Sequence, residues 1–155
     1  MNGNTWILIA DSAEAHIYRT HKAKLFLPEA NEKDLNLVKK YTHHESQKQV
    51  SKVVSDSSGR YRSSGYGSDT FDTPTDPKQY EENRFALQLF KILHHAYRNK
   101  EFAELILIAP PSFMGMLNKH IHTDEILQKS IQLKIEKNYI HLQGRELIKQ
   151  MQTHL

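Results

Sequence analysis

The sequence predicts an α/β domain built on one mixed five-stranded sheet with helices on both faces. Three observations predict it. Asp76-Pro77 opens a long amphipathic segment that leads into Leu105-Ile106-Leu107-Ile108, a continuous apolar run suited to a buried strand and too short for a helix. Before that unit the chain offers three strand-like runs and no strong helical period. After it, Ile131, Leu133 and Ile135 alternate with Gln132, Lys134 and Glu136, as a half-buried strand does.

Each element has a local reason. Trp6-Ile7-Leu8-Ile9-Ala10 reads as a buried central strand, and Asp11-Ser12-Ala13 as a turn. Glu14 to Arg19 returns, with Ala15 and Ile17 on one side and His16 and Tyr18 on the other. Thr20 to Lys33 carries charges and Pro28 and is expected as an extended hairpin connection. Leu35 to Tyr41 is a third strand. Asp76 can cap the crossover helix, Pro77 fits its first position, and Gln79 stands where a capping-box residue reaches back. Phe85, Leu89, Ile92, Leu93 and Ala96 then recur at helical period, and Asn99-Lys100 ends the helix. Ala109-Pro110-Pro111 stops the buried strand. Phe113, Leu117 and Ile121 share the next helical face, and His122-Thr123-Asp124 caps a short helix through Gln128. Leu147, Ile148, Met151 and Leu155 form the apolar side of a last helix.

Three meandering strands followed by right-handed crossovers set the first and fourth strands side by side and parallel. The predicted order is 3-2-1-4-5, the ribonuclease-H-like order. The chain reads as a single domain over residues 1–155.

Bulk composition bounds the function. The 155 residues are 38% hydrophobic and 25% charged, with a net charge of +3 and ten histidines uncounted. That excess permits an anionic partner without demanding one. Without cysteine, disulfides, thiolate metal sites and cysteine nucleophiles are excluded. No apolar run approaches the ~20 residues of a membrane span. Trp6–Ala10 is too short for a signal-peptide core and lacks a basic flank, so the expected location is the cytoplasm.

The stretch 42–75 has no strong period and is expected as a long mobile loop, of a length that is often functional. Gln47 to Val54 could form two helical turns, and 55–72 lacks apolar anchors apart from Tyr61, Tyr66 and Phe71. Arg60-Tyr61-Arg62 and Tyr66 place cations beside aromatic rings. Guanidinium groups pair with phosphates, and tyrosines stack on unpaired bases. Lys48, Lys52, Arg84 and Lys91 extend that basic surface as a candidate nucleic-acid site. The plain alternative is a solvated loop without a ligand.

The second candidate is the carboxyl end of the sheet, where ligands of α/β folds gather. It brings Asp11-Ser12 near Pro110-Pro111-Ser112 and the free N–H groups of a helix start. The plain alternative is a rigid proline turn. A metal-dependent nuclease would need several carboxylates there. Asp11 and Glu81 or Glu82 are usable, but prolines occupy the place of another ligand. His43-His44, His94-His95 and His120 with His122 could suggest a metal, but His94-His95 is a poor chelate because adjacent helical side chains point about 100° apart, His120-x-His122 chelates only if extended and lies where a helix ends, and no matching ligand cluster is visible. No Gly-x-Ser-x-Gly elbow exists. The sequence calls for no cofactor and no metal.

Several motifs together resemble one family. They are Trp6–Asp11 with Ala15-His16-Ile17-Tyr18; His44-Glu45-Ser46; Ser55-Asp56 before Gly59-Arg60; Thr75-Asp76-Pro77-Lys78 leading through Glu82 to Arg84-Phe85-Ala86; Leu107-Ile108-Ala109-Pro110-Pro111 with Phe113 and Gly115; and Lys137 near His141-Leu142. They resemble the bacterial host attachment protein family, regarded as a relative of the middle domain of archaeal and eukaryotic release factors. The resemblance runs nearly end to end and adds Lys137 and His141 to the candidate pocket. Where the family usually has aspartate and threonine, this chain has Asn138 and Ile140. Release factors carry Gly-Gly-Gln on the loop before the long helix; here that loop offers Gly65-Tyr66-Gly67, so peptide release by that route is not implied.

The resemblance and the loop chemistry together imply non-catalytic binding to RNA or the ribosome. The alternatives are a hydrolase acting on a phosphoester or ester at the carboxyl end of the sheet, and a protein–protein adaptor.

Overall fold

The structure, a computed structural model, describes residues 4–43 and 76–154. The helix expected over 47–54 and the loop expected over 55–72 lie outside the described residues. Thr42, expected to begin that loop, closes a strand instead.

Strands β1 (Thr5–Ala10), β2 (Glu14–Thr20), β3 (Asn36–Thr42), β4 (Glu104–Ile108) and β5 (Ile131–Ile135) form one sheet in the order β3-β2-β1-β4-β5. β1 runs antiparallel to β2 and parallel to β4, and β5 is parallel to β4. The predicted order is the observed one. β1 and β4 sit at the centre because their residues are apolar on both faces. β5 alternates because one face of an edge strand stays wet.

The helices are α1 (Lys22–Leu25), α2 (Pro77–Arg98), α3 (Pro111–Ile121), α4 (Glu125–Ser130) and α5 (Gly144–Gln152). On one face Leu8, Ala15, Ile17, Leu105 and Leu107 pack against Phe85, Leu89 and Leu93 of α2, Phe113 and Leu117 of α3, and Leu127 of α4. On the other, Ile7, Ile9, Ile106 and Ile108 meet Leu25 of α1 and Leu147, Ile148 and Met151 of α5. Each such buried Leu, Ile, Met or Phe side chain contributes about 1.5–3 kcal/mol against exposure.

The Thr20–Lys33 connection is folded rather than extended. Leu25 is fully buried under α5, and Gln152 Nε2 donates to the carbonyls of Leu25 and Leu27 at 3.0 Å each. A 3-10 turn over Glu32–Asp34 follows, closed by a reciprocal box in which Asn31 accepts from Lys33 N–H and Asp34 accepts from Asn31 N–H. Tertiary burial, not local periodicity, makes α1.

Asp76 caps α2 by accepting from Lys78 N–H at 3.0 Å; Gln79 makes no return bond. The other end of α2 closes with Lys100 N–H on the Tyr97 carbonyl and Glu101 N–H on the Ala96 carbonyl. That is a Schellman pair, and it holds Lys100 at φ 60°. No described helix is long and apolar enough to cross a membrane.

Candidate functional site

The parallel strands β1, β4 and β5 end at one edge of the sheet. Ile9 stands beside Ile108, and Ile108 beside Ile135. The Ala109 N–H extends the last pairing to the Ile135 carbonyl at 3.1 Å. This edge therefore collects Asp11-Ser12, Pro110-Pro111-Ser112 and the stretch after β5 that holds Lys137 and His141.

Most of these residues are committed to holding the backbone or stand in water. The Asp11 carboxylate accepts from Ala13 N–H at 2.8 Å and Glu14 N–H at 2.9 Å, which closes the β1–β2 turn. Pro110 is the N-cap of α3 and its carbonyl takes Met114 N–H at 2.8 Å. Pro111 and Ser112 are exposed, as are Lys137 and His141. Among the described residues, no side-chain hydrogen bond or ion pair joins Lys137 or His141 to Asp11 or Ser12.

The same edge holds a pair that sequence reasoning named only as separate metal or nuclease options. His43 follows β3, and its backbone N–H donates to the Ala13 carbonyl at 2.7 Å. Its Nδ1 lies 3.0 Å from the Ser12 carbonyl, and its ring stacks on Phe85 with centroids 5.2 Å apart. Its Nε2 lies 3.5 Å from Oε1 of Glu81 on α2, with the side chains 3% and 12% exposed. The distance allows attraction, but the alignment is not that of a hydrogen bond, and neither Glu81 oxygen has a hydrogen-bond partner among the described residues. A carbonyl only accepts, so Nδ1 must carry the proton that faces Ser12. A readable signal existed for Glu81. It stands four residues before Phe85 and eight before Leu89, an acid on the apolar stripe of α2.

The candidate nucleic-acid residues divide. Lys48, Lys52, Arg60, Tyr61, Arg62 and Tyr66 lie outside the described residues. Arg84 is exposed on α2, and Lys91 and Arg98 follow at seven-residue steps, also exposed. Seven residues are close to two turns, so the three cations form one stripe, spaced about 10 Å apart. From Arg84 to Arg98 the helix carries no acid.

The histidines are held singly. His94 Nδ1 is 2.5 Å from Asp124 Oδ2, His95 Nε2 is 3.0 Å from Asn99 Nδ2, and His120 Nε2 is 3.1 Å from Asn83 Oδ1. Among the described residues no three His, Asp or Glu side chains converge as metal ligands would. Burial pushes the Asp124 carboxyl up. The hydrogen bond with His94, the N–H groups of Leu127 and Ile126 and the His94 charge outweigh that, and the carboxyl lies below its ordinary range.

No curated protein matches the sequence. A solved structure of Dom34 from S. cerevisiae, described as a translation termination-like factor involved in RNA quality control pathways and interacting with Hbs1, is similar over 90% of this chain and 31% of that one, with 11% identity and a TM-score of 0.43. The chain thus spans under a third of that protein's length. The family described as "protein required for attachment to host cells" matches residues 6–151, from β1 through α5. The chain belongs to the family of proteins required for attachment to host cells.

Proposed function

We propose that the protein is a non-catalytic binding domain for RNA or an RNA-rich assembly such as the ribosome, working in the cytoplasm. The observation that carries this reading is the acid-free stripe of Arg84, Lys91 and Arg98 on the solvent face of α2. Cations in a row along a rigid helix can follow a phosphate backbone without reading bases. Arg60, Tyr61, Arg62 and Tyr66, with Lys48 and Lys52, would add phosphate pairing and base stacking from the segment that precedes α2.

The carboxyl end of the sheet supports a structural role better than a hydrolytic one. Asp11 spends its carboxylate on the turn, and the two prolines withhold two N–H donors from the start of α3.

Capture of the tagged protein from lysate tests the reading, with and without ribonuclease. RNA should come down with the protein, and partners bridged by RNA should leave on ribonuclease treatment. A pulldown free of RNA, with the same partners in both arms, would favour a protein adaptor.

A further inference from the structure

The sheet ends on one side at β3, and among the described residues no strand pairs with its outer edge. An edge strand leaves alternate N–H and C=O groups without ladder partners. Every residue of β3 except Tyr41 is exposed, including Leu37 and Val38 at 49% and 40%.

Beside this edge, between β3 and α2, runs an open trench of about 500 Å3. Trp6, Ile17 and Ala96 line its apolar floor. Trp6 is 4% exposed, and its Nε1–H has no acceptor among the described residues. Val38, Lys39 and Tyr41 line the strand side, and Lys91 and His95 the helix side. Among the described residues, Glu101 is the single acid of the lining. Burial and the Glu101 charge hold the Tyr41 phenol above its ordinary range, so it stays a neutral donor. An unpaired strand edge beside a helix, with an apolar gap between them, is the geometry of strand addition. Backbone pairing supplies affinity there, and alternate side chains supply specificity.

The edge also carries its own selectivity. β3 skips a residue at Val38 in its pairing with β2, so Leu37 faces Tyr18 while Lys39 faces Ile17. Lys39 and Lys40 follow the bulge. Lysines and bulges on an edge oppose pairing with a second copy, because like charges would meet across the new ladder. The same lysines favour a strand of opposite charge.

We propose that the β3 edge and its trench take an extended acidic segment of a partner protein, which adds to the sheet as a sixth strand. Its residues opposite Lys39 and Lys40 are acidic. Those opposite Val38 and Tyr41 are apolar and fill the trench toward Ala96.

The test uses ten-residue synthetic peptides mixing valine and glutamate, the same peptides with lysine for glutamate, and a ten-nucleotide single-stranded RNA. Amide spectra of the labelled full chain locate any binding. The glutamate peptide should shift the amides of Asn36–Thr42 and of Gln88–Ala96, and bind at least tenfold tighter than the lysine peptide. The double variant Lys39→Glu/Lys40→Glu should reverse that preference. A reversal is a gain of binding, so misfolding cannot produce it. Binding without charge preference, shifts confined to other elements, RNA taking the trench while the glutamate peptide does not, or self-association through β3 would each overturn the proposal.

Discussion

Glu81 Oε1 stands 3.5 Å from His43 Nε2 inside the protein, and the two residues bracket the segment 44–75. His43 closes the described chain before that segment, and Glu81 lies one turn into the helix after it. Their contact brings the end of β3 against the first turns of α2.

Removing one member strands the other. His43→Ala leaves a carboxyl group that is 12% exposed with no partner among the described residues, and it also deletes the stack on Phe85. Leaving a buried polar group unmet costs about 1–3 kcal/mol, and more if it is charged. Glu81→Leu should cost less, because the substituted leucine would extend the apolar stripe of α2. Urea melts of both single variants and the double variant should show a coupling of at least about 0.5 kcal/mol. Additive losses would mean that the pair does not interact.

Lys100 holds a left-handed conformation that glycine adopts without strain. Lys100→Gly should raise stability by about 1 kcal/mol, which is a few degrees in melting temperature for a chain of this size. No change or a loss would mean that the Lys100 side chain offsets the strain. Gly144→Ala is the opposite case. Its φ is +53°, while the added methyl would meet Glu32 only at ordinary contact distance, 3.5 Å. The expected loss is about 1–2 kcal/mol from backbone strain alone.

Asp124 joins α4 to α2 by capping Leu127 N–H and pairing with His94. Its carboxyl lies below the ordinary range in the folded protein and returns to an ordinary value of about 4 on unfolding. The unfolded state therefore takes up the proton first. The contribution is fully present above about pH 4 and fades as pH falls through the folded value. Melts between pH 3 and 7 should show Asp124→Asn losing less stability on acidification than the parent. Parallel acid limbs would remove Asp124 from the account.

Asp11→Asn keeps an oxygen for the turn, and Asp11→Ala does not. The first should melt within about 0.5 kcal/mol of the parent, and the second should lose about 1 kcal/mol. Neither should change a magnesium- or manganese-dependent nuclease signal, because the parent is expected to show none. Robust cleavage by the parent that Asp11→Asn abolishes would replace binding with catalysis.

The crossover unit is legible in the sequence because its signals are local. Asp76-Pro77, the period from Phe85 to Ala96 and the prolines after Ile108 each act within a few residues. Helix α1 is not legible, since a four-residue helix has no period and exists through Leu25 and the distant Gln152. The order of the strands follows from handedness rules once the elements are named. The site is half legible. Glu81 announces itself by its spacing from Phe85, but His43 reaches it only because β3 runs parallel to β1 two strands away. The trench needs the same topology, together with a one-residue bulge that no composition reveals.

Salt-dependent binding of unstructured RNA tests the central claim most directly. Affinity should fall steeply between two salt concentrations. Arg84→Ala/Arg98→Ala should flatten the slope of log affinity against log salt by about 1.4, since each single-strand phosphate contact contributes about 0.7. Replacing Arg60 and Arg62 as well should flatten it further, and replacing Tyr61 and Tyr66 should cost about 1–3 kcal/mol per lost stack, mainly on single strands. Thermal melts confirm that the variants remain folded. A parent protein with no RNA affinity at low salt, or folded variants that bind as the parent does, would contradict the account.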